Sequence, residues 1–103
     1  MSGETGRDLR LEIAHVLFID IVGYSKLLHN EQSEVLRELN DIVRNTGQFR
    51  AADTAGALLR LPTGDGVALI FRNSPEAPAQ CALEIAEALK SRSRFQLRMG
   101  IHS

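Results

Sequence analysis

The sequence predicts an α/β sandwich (an α+β arrangement) with helices on one face of a mixed or antiparallel sheet. Three observations carry this. The run Val16-Leu17-Phe18-Ile19, continued by Ile21 and Val22, is β-branched and aromatic enough for a buried strand. Leu58–Leu61 and Val67–Phe71 are two further apolar runs around Pro62-Thr63-Gly64-Asp65-Gly66, the pattern of a β-hairpin with Asp65 near its tip. Val35, Leu36, Leu39, Ile42 and Val43, and later Ala82, Ile85, Ala86 and Leu89, recur at helical spacing. The implied order is strand, helix, helix, strand, strand, helix, strand, without internal repeats or low-complexity segments.

Residues 1–12 read as a flexible lead-in, with room for a short helix at Asp8–Ala14, and 13–103 as the folded part. His15–Val22 is the first strand. Gly23 ends it, and Tyr24-Ser25-Lys26-Leu27-Leu28 reads as a turn into a short helix. Asn30 is the N-cap candidate of the long helix, and Glu31 in the first turn suits the helix dipole. Glu34, Arg37, Glu38, Asp41 and Arg44 form its solvated side, and Asn45-Thr46-Gly47 its stop. Phe49–Gly56 is expected to be a connection with little pattern. Pro62 cannot donate to a ladder, which is tolerated at an edge or a bulge. After the loop Arg72–Pro78, either Ser74-Pro75 or Ala77-Pro78 can open the next helix, which runs to Lys90. Ser91–Arg94 is a basic turn, and Phe95–Ile101 alternates as a half-buried strand does.

At 103 residues the chain is one domain or part of one, able to bury roughly 60% of its unfolded surface. A formal net charge of −1 argues against general affinity for nucleic acid or an anionic membrane. No apolar run approaches the roughly 18 residues of a spanning helix, and the polar start has no signal-peptide core. Cys81 is alone and reads as a small buried residue on a helix; with no internal disulfide, a reducing, cytoplasmic setting fits. His15, His29 and His102 lack any zinc-ligand spacing, and Arg98 reads as an outward strand residue.

Two carboxylates stand out against this background. Asp20 lies inside an apolar strand, where an ionised side chain needs a partner, a proton or a metal. Asp65 sits between Gly64 and Gly66 on the hairpin. If the two converge at about 4 Å, their repulsion is about 4 kcal/mol at an effective dielectric near 20. A divalent cation between them turns that penalty into attraction, and carboxylate oxygens are what Mg²⁺ prefers. Blander roles exist: a strand-end aspartate can satisfy turn amides, and Gly-Asp-Gly is ordinary turn chemistry.

The segments F-I-D-I-V-G-Y-S, T-G-D-G and L-R-M-G-I-H-S, in that order from Val16 to Ser103, resemble a class III adenylate/guanylate cyclase catalytic domain. The resemblance implies a ferredoxin-like βααββαβ core and conversion of a nucleoside triphosphate to a 3′,5′-cyclic nucleotide plus pyrophosphate. It implies two Mg²⁺ or Mn²⁺ ions per site, one activating the ribose hydroxyl and one steadying the leaving group. Asp20 and Asp65 would bridge the metals, with the carbonyl of Ile21 completing one site. Amides of Val22, Gly23, Tyr24 and Ser25 would hold the β- and γ-phosphates, and Gly64 and Gly66 would support the turn. Ser25 could equally cap the short helix, and Thr63 is expected to serve the turn. The family works as a homodimer, or with a partner cyclase domain, and its domain continues past the G-I-H segment into strands and a helix not matched here. This chain is therefore expected to be the N-terminal, metal-binding part, with little turnover by itself.

One position departs from the family. A base-recognising lysine four residues before the second metal aspartate is replaced by Leu61, and Arg60 beside it belongs to the opposite face of a strand. That departure motivates an alternative, a catalytically silent cyclase-like module for dimerisation or nucleotide sensing. Polymerase-palm or diguanylate-cyclase chemistry shares the two-carboxylate logic but fits the G-Y-S turn and the T-G-D-G hairpin less well.

Overall fold

The computed structural model describes residues 14–72, 74–92 and 95–102. The lead-in over 1–12 and part of the basic turn, Ser93 and Arg94, lie outside the described residues. The elements are β1 (His15–Ile21), a single 3₁₀ turn (Tyr24–Lys26), α1 (His29–Arg44), α2 (Gly47–Thr54), β2 (Leu58–Pro62), β3 (Gly66–Phe71), α3 (Ala77–Leu89) and β4 (Leu97–His102). The described residues form an α+β domain with a four-stranded sheet and three helices. Strand order is β2-β3-β1-β4, and every neighbouring pair is antiparallel, so the mixed alternative drops out.

β1 is central and alternates strictly. Leu17, Ile19 and Ile21 are buried under the helices, while Phe18 and Asp20 point the other way. On β3 the helix-side residues Val67, Leu69 and Phe71 meet β1 partners in register, and all three are buried. From the helices, Val35, Leu39, Ile42 and Val43 of α1 and Ala77, Cys81 and Ile85 of α3 complete the core. Burial of side chains of this size contributes about 1.5–3 kcal/mol each, which fixes the register against a one-residue slip. Ala86, expected in the buried stripe of α3, is exposed; Ala77 and Cys81 take that role. Among the described residues no helix is long and apolar enough to cross a membrane.

Element ends differ from expectation for local reasons. β1 stops at Ile21 because Gly23 takes a left-handed conformation (φ 73°, ψ 16°). α1 begins at His29, with Leu28 rather than Asn30 before its first turn, because the Glu31 carboxylate accepts the Leu28 amide at 2.9 Å. Phe49–Gly56 is largely helical. α1 does end at Arg44, with Asn45 as its C-cap, at the expected Asn45-Thr46-Gly47 stop, and Thr46 also caps α2: its Oγ1 accepts the Phe49 amide at 3.2 Å and donates to the Val43 carbonyl at 2.9 Å. Glu84 of α3 then accepts the Gly47 and Gln48 amides at 2.6 and 3.2 Å, so a neighbouring helix completes the cap. α3 opens at Ala77-Pro78, settling the choice between the two proline starts. β4 starts at Leu97 rather than Phe95 and reaches His102, and Pro62 closes β2 on the sheet edge, where its missing donor costs no ladder bond.

Candidate functional site at the β1–β3 junction

The hairpin tip is pressed against the end of β1. Asp20 is the register partner of Gly66, and the Ile21 amide donates to the Asp65 carbonyl at 2.9 Å. Gly66 permits this approach. A Cβ there would collide with the Ile19 carbonyl oxygen and lie 2.8 Å from the Ile19 carbonyl carbon and 2.9 Å from the Asp20 Cα. Gly64 supplies the left-handed residue of the tip at φ 94°, and the Thr63 amide closes the turn on the Gly66 carbonyl at 3.1 Å. Asp20, paired with Gly66, and Asp65, whose carbonyl accepts the Ile21 amide, are thereby brought to the same end of the sheet although 45 positions apart in sequence (65 − 20). Asp20 is half-buried and Asp65 exposed.

Main-chain groups join the pair. In an extended residue the N–H and C=O point the same way, so the Ile21 carbonyl faces the hairpin as its amide does. The Gly23 bend then turns the chain into the 3₁₀ turn, whose own bonds run from Lys26 to Gly23 and from Leu27 to Tyr24. The four expected phosphate-binding amides are not equivalent. Val22 donates to the Gln96 carbonyl at 2.9 Å and is committed to the sheet, which leaves Gly23, Tyr24 and Ser25 at the bend. Ser25 does not cap the turn; that position belongs to Gly23, and no side chain caps it.

Register gives a place at the site to a residue that the sequence marks only as outward-facing on its strand. Arg98 on β4 is directly opposite Asp20, so both side chains leave from the uncovered face of the sheet. A guanidinium opposite Asp20 brings positive charge to that end of the uncovered face, where it suits an anionic group. Its only sequence signal was its polar position in the alternation of Phe95–Ile101; the pairing of β4 with β1 was not readable locally. Arg60 and Leu61 separate as strand alternation requires. Arg60 turns to the helix side and donates to the Asn40 Oδ1 at 3.2 Å, whereas Leu61 lies on the uncovered face, 44% exposed. Arg60 is no substitute for a charge at Leu61.

Among the described residues no group of three or more His, Cys, Asp or Glu could hold a metal. Asp20, Asp65 and the Ile21 carbonyl are a hard-oxygen set that fits Mg²⁺ or Mn²⁺. Such ions keep several waters and are held by one or two carboxylates together with ligand phosphates. A separate cleft of about 340 Å³ is lined by Glu34, Arg37, Glu38, Asp41 and Arg92, where Arg92 approaches Glu38 at 3.7 Å. Its charges are of both signs, and it involves α1 rather than the β1–β3 junction. His102 is exposed at the far end of β4, and Cys81 is fully buried against Thr46 at 3.6 Å. Compared with protein-family models and with curated proteins, the chain matches none.

Proposed function

We propose that this chain is the metal- and triphosphate-binding part of a class III nucleotidyl cyclase, a cytoplasmic domain that works as a homodimer or with a cyclase partner domain. The observation that carries the reading is the Asp20–Gly66 pairing, with the Ile21 amide on the Asp65 carbonyl, which sets two aspartates beside a glycine bend. The order β2-β3-β1-β4, all antiparallel, supports the finer fold reading as well, since it is the arrangement of a split βαβ, ferredoxin-like core.

Each group then has a task. Asp20, Asp65 and the Ile21 carbonyl would hold the divalent cations, which would supply polarisation of the attacking ribose hydroxyl and charge neutralisation for the pyrophosphate leaving group. The amides of Gly23, Tyr24 and Ser25 and the guanidinium of Arg98 bind phosphate oxygens, and Gly64 and Gly66 hold the tip in place. The test is calorimetric titration of Mn²⁺ with a non-cleavable nucleoside triphosphate. Asp20→Asn and Asp65→Asn each abolish Mn²⁺-dependent binding on this reading; unchanged affinity in both overturns it. Turnover by the chain alone is expected to be slight, and robust cyclic nucleotide formation by the monomer contradicts that expectation. Exposed Leu61 on the site's own face favours a second reading, a catalytically silent module that binds nucleotide or a cyclase-like partner. Cyclic nucleotide formation on pairing with a complete catalytic partner decides between them.

A further inference from the structure

We propose that Gln32 is a positioning residue of the site: its side-chain amide fixes the direction in which the Ser25 N–H points. The inference rests on the reading of the amides at the Gly23 bend as phosphate donors, and it names what holds them in place. Gln32 lies in the first turn of α1, where its own backbone amide donates to the Leu28 carbonyl at 2.9 Å. From there its Nε2 makes a partly buried hydrogen bond to the Tyr24 carbonyl at 3.0 Å, eight positions back along the chain. The Leu27 amide donates to the same oxygen at 3.1 Å. Two donors thus occupy the two lone pairs of that carbonyl.

Fixing this oxygen fixes an amide. The Tyr24 carbonyl and the Ser25 N–H belong to one planar, trans peptide group and point in opposite directions. With the oxygen drawn towards α1, the Ser25 N–H faces away from α1. A donor on the carbonyl also polarises the peptide group and strengthens its N–H as a donor. The turn depends on such help from outside, because no side chain caps it and none of its residues is buried. Before Gly23 the chain is held by the Val22 amide on the Gln96 carbonyl, and after Gly23 it is held by Gln32. The segment leading into β4 and the first turn of α1 thus clamp the bend from its two ends, with Gly23 left-handed between them.

The test uses the whole chain with two variants. Gln32→Met keeps the length of the side chain and loses the donor, whereas Gln32→Glu keeps the shape and presents only acceptors at neutral pH. The probes, titrated by calorimetry, are Mn²⁺ alone and Mn²⁺ with inorganic tripolyphosphate. Both variants are expected to bind Mn²⁺ alone within about twofold of the unmodified chain and tripolyphosphate about tenfold more weakly. The spectroscopic signature is the Ser25 amide proton, followed with diamagnetic Mg²⁺. Tripolyphosphate moves it downfield in the unmodified chain and leaves it in place in both variants, while the Asp20 and Asp65 signals still respond. A bond that served stability alone would lower Tm without separating the two probes. Equal weakening of both probes therefore makes Gln32 a packing contact of α1 and overturns the proposal, as does unchanged tripolyphosphate affinity in both variants. If the unmodified chain fails to bind tripolyphosphate with Mn²⁺, or binds it without moving Ser25, the site reading falls first and this inference with it.

Discussion

Gly66→Ala tests the junction most severely. The added methyl group would overlap the Ile19 carbonyl oxygen and sit within 2.9 Å of two further backbone atoms of β1. Backbone in the middle of a sheet cannot rotate away as a side-chain tip can, so β3 must slide from β1 or the tip must unpair. Overpacking of a close-packed site costs about 1–3 kcal/mol. At about 4–8 °C per kcal/mol for a domain of this size, Tm falls by roughly 4–24 °C. Two other glycines calibrate the result. At Gly64 there is open space but a left-handed backbone, and alanine costs about 1–2 kcal/mol. At Gly100 there is open space and no positive φ, and alanine is neutral or stabilises by about 0.4–1 kcal/mol. Thermal and urea melts followed by circular dichroism rank the three variants, and Mn²⁺ titration checks that Gly66→Ala also weakens the cation site. If Gly66→Ala melts with Gly100→Ala and binds Mn²⁺ as the unmodified chain does, the close approach of hairpin and strand is wrong.

Three further outcomes follow from other parts of the molecule. Glu84→Gln replaces a charged acceptor of the Gly47 and Gln48 amides with a neutral one at a partly exposed site; a loss of about 0.5–1.5 kcal/mol is expected in urea melts, smaller than for Glu84→Ala. Burial pushes the Cys81 thiol up to about 11, so it stays protonated and unreactive to Ellman's reagent at pH 8 until the chain unfolds. Because its folded pKa lies above its ordinary value of 9.0, the stability linked to that thiol is complete below about pH 9 and is lost as pH rises towards 11. Cys81→Ala removes that component of alkaline destabilisation. Arg98→Ala is expected to weaken Mn²⁺-dependent tripolyphosphate binding about tenfold with little change in Tm, since Arg98 is exposed; equal affinity would remove it from the site.

The first three strands were legible as apolar, β-branched runs and the long helix by its period, and the structure shows the strict alternation inside the first run. Leu17/Ile19/Ile21 alternate, and Val35/Leu39/Ile42/Val43 follow a helical stripe. α2 was not legible. Eight residues hold only Phe49 and Ala52 as buried anchors, and much of its N-terminal capping comes from Glu84, 37 positions away from Gly47. The N-terminus of α1 was misplaced for a related reason, since Asn30 looked like a cap while Glu31 reaches back to Leu28 instead. At the site, glycines flag the tight approaches, so Asp20, Gly23, Asp65 and Gly66 stand out from the sequence alone. Arg98 does not, because its significance depends on β4 lying beside β1. Nor could sequence show that the Val22 amide is already taken by Gln96.

Paramagnetic broadening by Mn²⁺ in the presence of tripolyphosphate, read from amide resonances, addresses the cation site most directly. The account predicts that signals of Asp20–Ile21, Gly23–Ser25 and Gly64–Gly66 disappear first, at substoichiometric Mn²⁺, and that Asp20→Asn restores them. Broadening that begins instead at Glu34, Glu38 and Asp41 along α1, with the β1–β3 junction untouched, would contradict it.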